Sequence, residues 1–206
     1  MQVGAERGPD GTRRCGWCGD DPGYVAYHDD EWGRPVTDDT RLYEKLCLEG
    51  FQSGLSWLTI LRKRDHFRAA FAGFDPAVVA TFGPDDVERL LGDAGIVRHR
   101  GKIEATIANA SAVLATQERH GSLAGLVWSF EPARRGRPVP RVLGDLPSTT
   151  PESVALSKEL KRLGFRFVGP TTAYAAMQSL GVVNDHLAGC HVRTACDRER
   201  RAVRPA

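Results

Sequence analysis

The chain has 206 residues, 41% of them hydrophobic and 26% charged, and a net charge of +2; that balance excludes a disordered chain and suits one sizeable core or two small ones. No apolar run approaches the roughly 18 residues of a membrane span, and the polar, Gly-rich start lacks the apolar stretch of a secretory signal, so the sequence reads as cytoplasmic with no membrane partner. In that compartment five cysteines (Cys15, Cys18, Cys47, Cys190, Cys196) are core residues, free thiols or metal ligands rather than disulfides.

In chain order the segments read as helices, with almost no alternating strand pattern. "TDDTRLYEKLCLEG", 37–50, opens with Thr and Asp caps and places Leu42 and Leu46 four apart, and Gly50 and Gly54 then interrupt the helical pattern. "DPAVVATF" begins with the helix-start pair Asp75 and Pro76, and "GPDDVERLL" carries acidic residues in its first turn. "GKIEATIANASAVLATQERHG" predicts a longer helix with Ile103, Ile107, Ala110 and Leu114 on one stripe and Gly121 as its stop. Residues 131–150, rich in Pro, Gly and Arg, read as a long loop. Pro151 then starts a helix on which Leu156, Leu160 and Leu163 align.

"LKRLGFRFVGPTTAYAAMQSLGVVNDH" follows as helix, tight turn between Gly164 and Gly169, and a second helix from about Pro170 to Leu180. Such a turn is either a plain corner in a helical bundle or a hairpin whose backbone N–H groups hold a phosphate. Charge is uneven along the chain: residues 1–93 carry 11 Lys and Arg against 17 Asp and Glu, residues 94–206 carry 17 against 9. The basic C-terminal half is a solvated surface or a surface for phosphate. Near its end "LGVVNDHLAGC" places His186 and Cys190 four apart. On a helix these would share one face, as a buried pair or as two metal ligands.

The stretch "GFRFVGPTTAYAAMQSLGVVNDH" resembles the helix-hairpin-helix signature of DNA glycosylases. Together with "RCGWC…YVAYHDDEWG", "CLEGFQSGLSW" and "DAGIVRHRGKI" it is similar to the 3-methyladenine DNA glycosylase I family over about residues 14–191. The resemblance implies an all-α, two-lobed helix-hairpin-helix fold. It would comprise a flexible N-terminus, 1–13, one catalytic unit, 14–192, with the helix-hairpin-helix at about 151–186, and a basic tail, 193–206. It implies a structural zinc held by Cys15, His28, His186 and Cys190, a closed tetrahedral set without an open position for catalytic water; Cys18, in "CGWC", is an alternative to Cys15.

By the same resemblance Tyr24, Tyr27 and Trp57 line a base pocket, Trp17 and Trp32 pack or form its wall, and Glu49 is the catalytic and recognising carboxylate. Gln52 and Leu55 would project into the gap left by a flipped nucleotide, and Gly164, Arg166 and Gly169 would contact DNA. Asn184 stands where many helix-hairpin-helix glycosylases have a catalytic aspartate, and Thr171 near where bifunctional ones have a lysine nucleophile. The implied activity is therefore hydrolytic excision of 3-methyladenine from double-stranded DNA by a monomer without lyase activity. A non-catalytic helix-hairpin-helix DNA-binding protein with a structural zinc is the alternative.

Overall fold

The structure is a computed structural model that describes residues 3–133 and 136–203. The extreme ends of the proposed N-terminal and C-terminal segments, 1–2 and 204–206, and residues 134–135 of the long loop lie outside the described residues. Ten α-helices are described: α1 (Pro22–Asp30), α2 (Asp39–Gln52), α3 (Trp57–Ala70), α4 (Pro76–Val79), α5 (Pro84–Gly92), α6 (Arg100–His120), α7 (Leu123–Trp128), α8 (Pro151–Arg162), α9 (Pro170–Ser179) and α10 (Arg193–Ala202). Their starts follow local chemistry. Asp38, Ser56, Asp75, Ser122 and Thr150 each accept a bond from a backbone N–H of the first turn, and Pro22, Pro76, Pro84, Pro151 and Pro170 sit where a missing N–H costs nothing.

The two terminal segments differ from the sequence reading. The segment set apart as a flexible N-terminus contains β1 (Ala5–Arg7), which pairs antiparallel with β2 (Arg13–Cys15). The basic tail begins as a helix: α10 docks through Arg34 to Glu199 and through the Asn184 amide, which donates to Asp197. Three-residue strands and an Arg-rich helix with few apolar positions leave too weak a periodicity to read.

Helix α2 is the axis of the molecule. Every residue from Leu42 to Phe51 is buried, because α3, α6, α7 and α9 all pack on it. A helix covered on all sides must pair whatever charge it carries, and Glu44 meets Arg68 at 2.9 Å while Lys45 meets Glu49 at 3.1 Å. The expected interruption at Gly50 does not occur; α2 runs on to Gln52. Gly50 instead supplies room, since a Cβ there would lie 3.2 Å from the Phe167 Cβ. The chain leaves the helix at Ser53 and then turns at Gly54, at φ +84°.

The α8–α9 hairpin closes as its glycines predict. Gly164, at φ +97°, donates to the Lys161 carbonyl and Phe165 to the Leu160 carbonyl, the paired bonds that end a helix on a left-handed residue, with Phe165 and Leu160 both buried beneath. Asn109 of α6 then grips the turn by its backbone, donating to the Arg166 carbonyl at 3.2 Å and accepting from its N–H at 2.7 Å.

The end of α9 is held against the segment after α1. Val36 N–H donates to the Leu180 carbonyl, and Gly181, at φ +72°, lies so close to the Arg34–Pro35 peptide that a Cβ would come within 2.6 Å of its backbone atoms. Gly181→Ala combines left-handed strain with a backbone clash, so it is expected to destabilise the fold by about 2–4 kcal/mol in urea unfolding. The same change at Gly121, also at positive φ but with open space around its missing Cβ, should cost clearly less.

Candidate active site and metal centre

Cys15 closes β2, His28 lies on α1, and His186 and Cys190 follow α9. Spacing of four predicts that the last two share a helical face. The structure instead puts them on an irregular turn, in which Asn184 Oδ1 accepts from His186 N–H and Gly189 at φ +84° turns the chain back. All four are buried, and one ligand atom from each lies within 4.8 Å of the other three. The Cys15 Sγ–His186 Nδ1, Cys190 Sγ–His28 Nε2 and Cys190 Sγ–His186 Nδ1 distances are 3.6, 3.4 and 3.5 Å. Bonds of about 2.3 Å to sulfur and about 2.0–2.1 Å to nitrogen, disposed tetrahedrally around zinc, put neighbouring donors about 3.5 Å apart.

The surroundings orient the four donors. His186 Nε2 faces the Trp32 carbonyl at 2.9 Å, an acceptor only, so this nitrogen carries the proton and Nδ1 turns its lone pair inward. His28 Nδ1 meets Asp29 at 2.7 Å, leaving Nε2 inward. Although burial works against it, Arg14, His191 and His28 hold the Asp29 carboxyl well below the usual carboxylate range. Leu187 N–H donates to Cys15 Sγ at 3.2 Å. The Cys190 thiol is drawn down by its bond from Cys15, against burial, and further by the two imidazoles. Gly33 lets the chain pass, since a Cβ there would lie 2.8 Å from His186 Nε2. Cys18 is outside this cluster, with its sulfur on the Gly19 carbonyl, so Cys15 is the N-terminal thiol of the set.

An aromatic chain leads from this cluster to a cavity. Trp32 stands edge-on to His186 at 4.7 Å, Trp17 meets Trp32 at 5.0 Å and Tyr24 at 5.1 Å, and Tyr27 meets Trp57 at 5.3 Å. These rings and Glu49 line a cavity of about 220 Å³, completed by Gln52, by Ala175 and Gln178 of α9, and by Leu143 and Leu146 of the long loop. Four of the residues expected there, Tyr24, Tyr27, Trp57 and Glu49, thus share one cavity. Gln52 reaches it from the end of α2, whereas Leu55 is 44% exposed just beyond. Gly164, Arg166 and Gly169 lie apart on the α8–α9 turn, with Arg166 exposed. Burial lifts the Tyr24 phenol to about 12 and holds Tyr27 well above its ordinary range, so both stay neutral donors.

The sequence reading missed Lys45. Its Nζ sits 3.1 Å from Glu49, donates to Tyr27 Oη at 2.6 Å, and lies 3.3 Å from the centre of the Trp57 ring. Burial pushes this ammonium down to about 8, with Glu49 pulling the other way. The i, i+4 spacing to Glu49 was the available signal. Glu49 is therefore not a free charge but half of a buried pair. The Asp185 carboxylate likewise points away from the cluster, held by Tyr174 at 2.6 Å, Arg137 at 2.7 Å and Gln178 at 2.8 Å. Asn184 is spent on the Arg193 carbonyl and Asp197.

The chain is similar in sequence and fold to proteins of known activity. DNA-3-methyladenine glycosylase 1 of Escherichia coli strain K12 is 51% identical over 177 residues, 86% of this chain and 95% of that one. A crystal structure of 3-methyladenine DNA glycosylase I matches with a TM-score of 0.83 at 51% identity, covering 86% of this chain and 98% of the other. The Staphylococcus aureus enzyme, solved to show the structural basis of 3-methyladenine recognition, matches with a TM-score of 0.82 at 35% identity over 87% and 96%. The family model described as methyladenine glycosylase spans residues 17–194, from the first tryptophan of the cavity wall to the start of α10, and this chain belongs to that family.

Proposed function

We propose that the chain is a DNA repair glycosylase that excises 3-methyladenine from alkylated DNA, the activity named in its relatives. The observation that carries this reading is the cavity itself: flat aromatic walls from Tyr24, Tyr27 and Trp57 with one buried carboxylate, Glu49, suit a flat purine with a hydrogen-bonding edge. Glu49 is the one carboxylate among the described residues lining it. Release would be hydrolytic. Asn184 offers no charge to a developing sugar cation and Thr171 no amine for a Schiff base, while a base alkylated at N3 is a cationic, weakly held leaving group.

The double-stranded substrate would be gripped on the α8–α9 turn. Gly169 caps α9, Pro170 has no N–H, and the next N–H groups, of Thr171 and Thr172, have no helical acceptor, which leaves them for a phosphate with Gly164 and Arg166 alongside. Exposed Leu55, with Gln52 behind it, suits a wedge that fills the space of a flipped nucleotide.

The donor set fits zinc. Two thiolates and two imidazoles from Cys15, His28, His186 and Cys190 would close a tetrahedron and leave no position for substrate, so the metal's contribution is to hold the two ends of the chain together.

Purified protein is expected to contain one zinc per chain. Cys15→Ser and His186→Ala should lose it and lower the melting temperature by about 10 °C or more; a metal-free parent that melts no lower than the loaded one contradicts the assignment. Arg166→Ala should weaken binding to methylated and unmodified duplexes alike and flatten the salt dependence by about one unit of slope, whereas an effect on lesion-bearing DNA alone contradicts the hairpin's role. Trp57→Ala should lose about 1–3 kcal/mol of affinity for free 3-methyladenine, and Glu49→Gln should slow base release without abolishing it. Methylated duplex that releases no free base with the parent protein would favour a binding protein over an enzyme.

A further inference from the structure

Tyr27 and Trp57 have two sides. One faces the cavity that holds Glu49; the other faces a smaller cavity of about 40 Å³ lined by Glu31, Lys45 and Arg64. Lys45 lines only this rear cavity, so its ammonium meets the front wall from behind. At that one point it contacts three groups of the wall. It pairs with Glu49 one helical turn along α2, donates to the Tyr27 oxygen, and rests on one face of the Trp57 indole. The phenol oxygen accepts from Nζ, so the Tyr27 proton must turn elsewhere. The covered indole face is lost to any ligand and the other is kept. Of the other charges lining the rear cavity, Glu31 pairs with Arg64 at 2.6 Å and Glu44 with Arg68 at 2.9 Å, and Arg41 adds one more cation, while the α9 end presents only Ser179 and Leu180.

We propose that Lys45 is a positioning residue of the base pocket, which from behind the wall fixes Glu49, the Tyr27 hydroxyl and the Trp57 ring and cancels the Glu49 charge. This rests on the reading of the cavity as the base pocket. The consequence is selection by stacking and hydrogen bonding, with the net charge of the incoming base a lesser factor. Loss of the Lys45 proton removes all three contacts' common charge. Glu49 then remains as an uncompensated buried carboxylate, a costly state that draws water into the cavity. Because burial brings the Lys45 ammonium down to about 8, base release should fall as pH rises through that value.

The test is single-turnover release of 3-methyladenine from methylated duplex between about pH 6 and pH 10, for the parent, Lys45→Met and Lys45→Arg, with free-base titration for Glu49→Gln and Trp57→Ala. The parent should decline near pH 8. Lys45→Met should be slower by about tenfold at neutral pH and lack the decline; Lys45→Arg, which keeps its charge throughout, should recover much of the rate and also lack it. In a Glu49→Gln background, Lys45→Met should cost less than it does in the parent, because only its contacts to Tyr27 and Trp57 remain to be lost. A decline that persists in either Lys45 variant, or a parent without one, overturns the proposal. If the Met variant does not fold, the parent profile and Lys45→Arg decide. Should Glu49→Gln and Trp57→Ala both bind free base like the parent, the base-pocket reading itself fails; should they lose it while the parent profile is flat, only the role of Lys45 fails.

Discussion

The meeting of Cys15 and His28 with His186 and Cys190 is the contact on which the rest of the site depends. It joins segments at opposite ends of the sequence, and both lead directly into the cavity: α1 carries Tyr24 and Tyr27 as well as His28, and the turn holding His186 follows α9, which contributes Ala175 and Gln178. Closing so long a loop is costly in chain entropy, and a strong, geometrically defined contact offsets that cost where two short strands alone cannot. Trp17 and Trp32 sit between the cluster and the cavity, so the position of the wall is inherited from the position of the two histidines.

The second constraint is electrostatic. Helix α2 is buried on every side, yet it carries Glu44, Lys45 and Glu49. Buried charges of this kind survive only in pairs, and the pairing decides what each can do. Glu44 is tied to Arg68, whereas Lys45 and Glu49 are tied to each other beside Tyr27 and Trp57. A carboxylate that looks from sequence like a lone acidic group thus has its charge balanced and its orientation set by a neighbour on the same helix.

Most of the helical layout was legible because it is written in short-range chemistry: caps at Asp38, Asp75 and Thr150, prolines at helix starts, and Gly164 where the chain must turn left-handed. The cavity residues were legible only through family resemblance, since no periodicity marks Tyr24 or Glu49 as anything but core or surface. What escaped the sequence has identifiable causes. Continuation of α2 through Gly50 reflects the approach of Phe167, a tertiary contact that overrides helix propensity. The ordered turn around His186 replaces a helix because Gly181 must pass the Arg34–Pro35 backbone and the His186 N–H donates to the Asn184 side-chain oxygen rather than to a helical carbonyl. Lys45 escaped because a lysine in an acidic stretch reads as solvated surface, and only the burial of α2 forces it inward.

The grip of Asn109 on residue 166 has an evolutionary side. Both of its bonds go to the main chain, so the shape of the α8–α9 turn is set without reference to which side chain residue 166 bears. The Arg166 side chain is therefore free of the frame, whereas its neighbour Phe167 is tied to it by the close approach of its Cβ to Gly50. A substitution at residue 166 can change the turn's charge while both Asn109 bonds stay in place. Asn109, by contrast, has no such freedom: any residue unable both to donate and to accept would leave two backbone groups stranded at once.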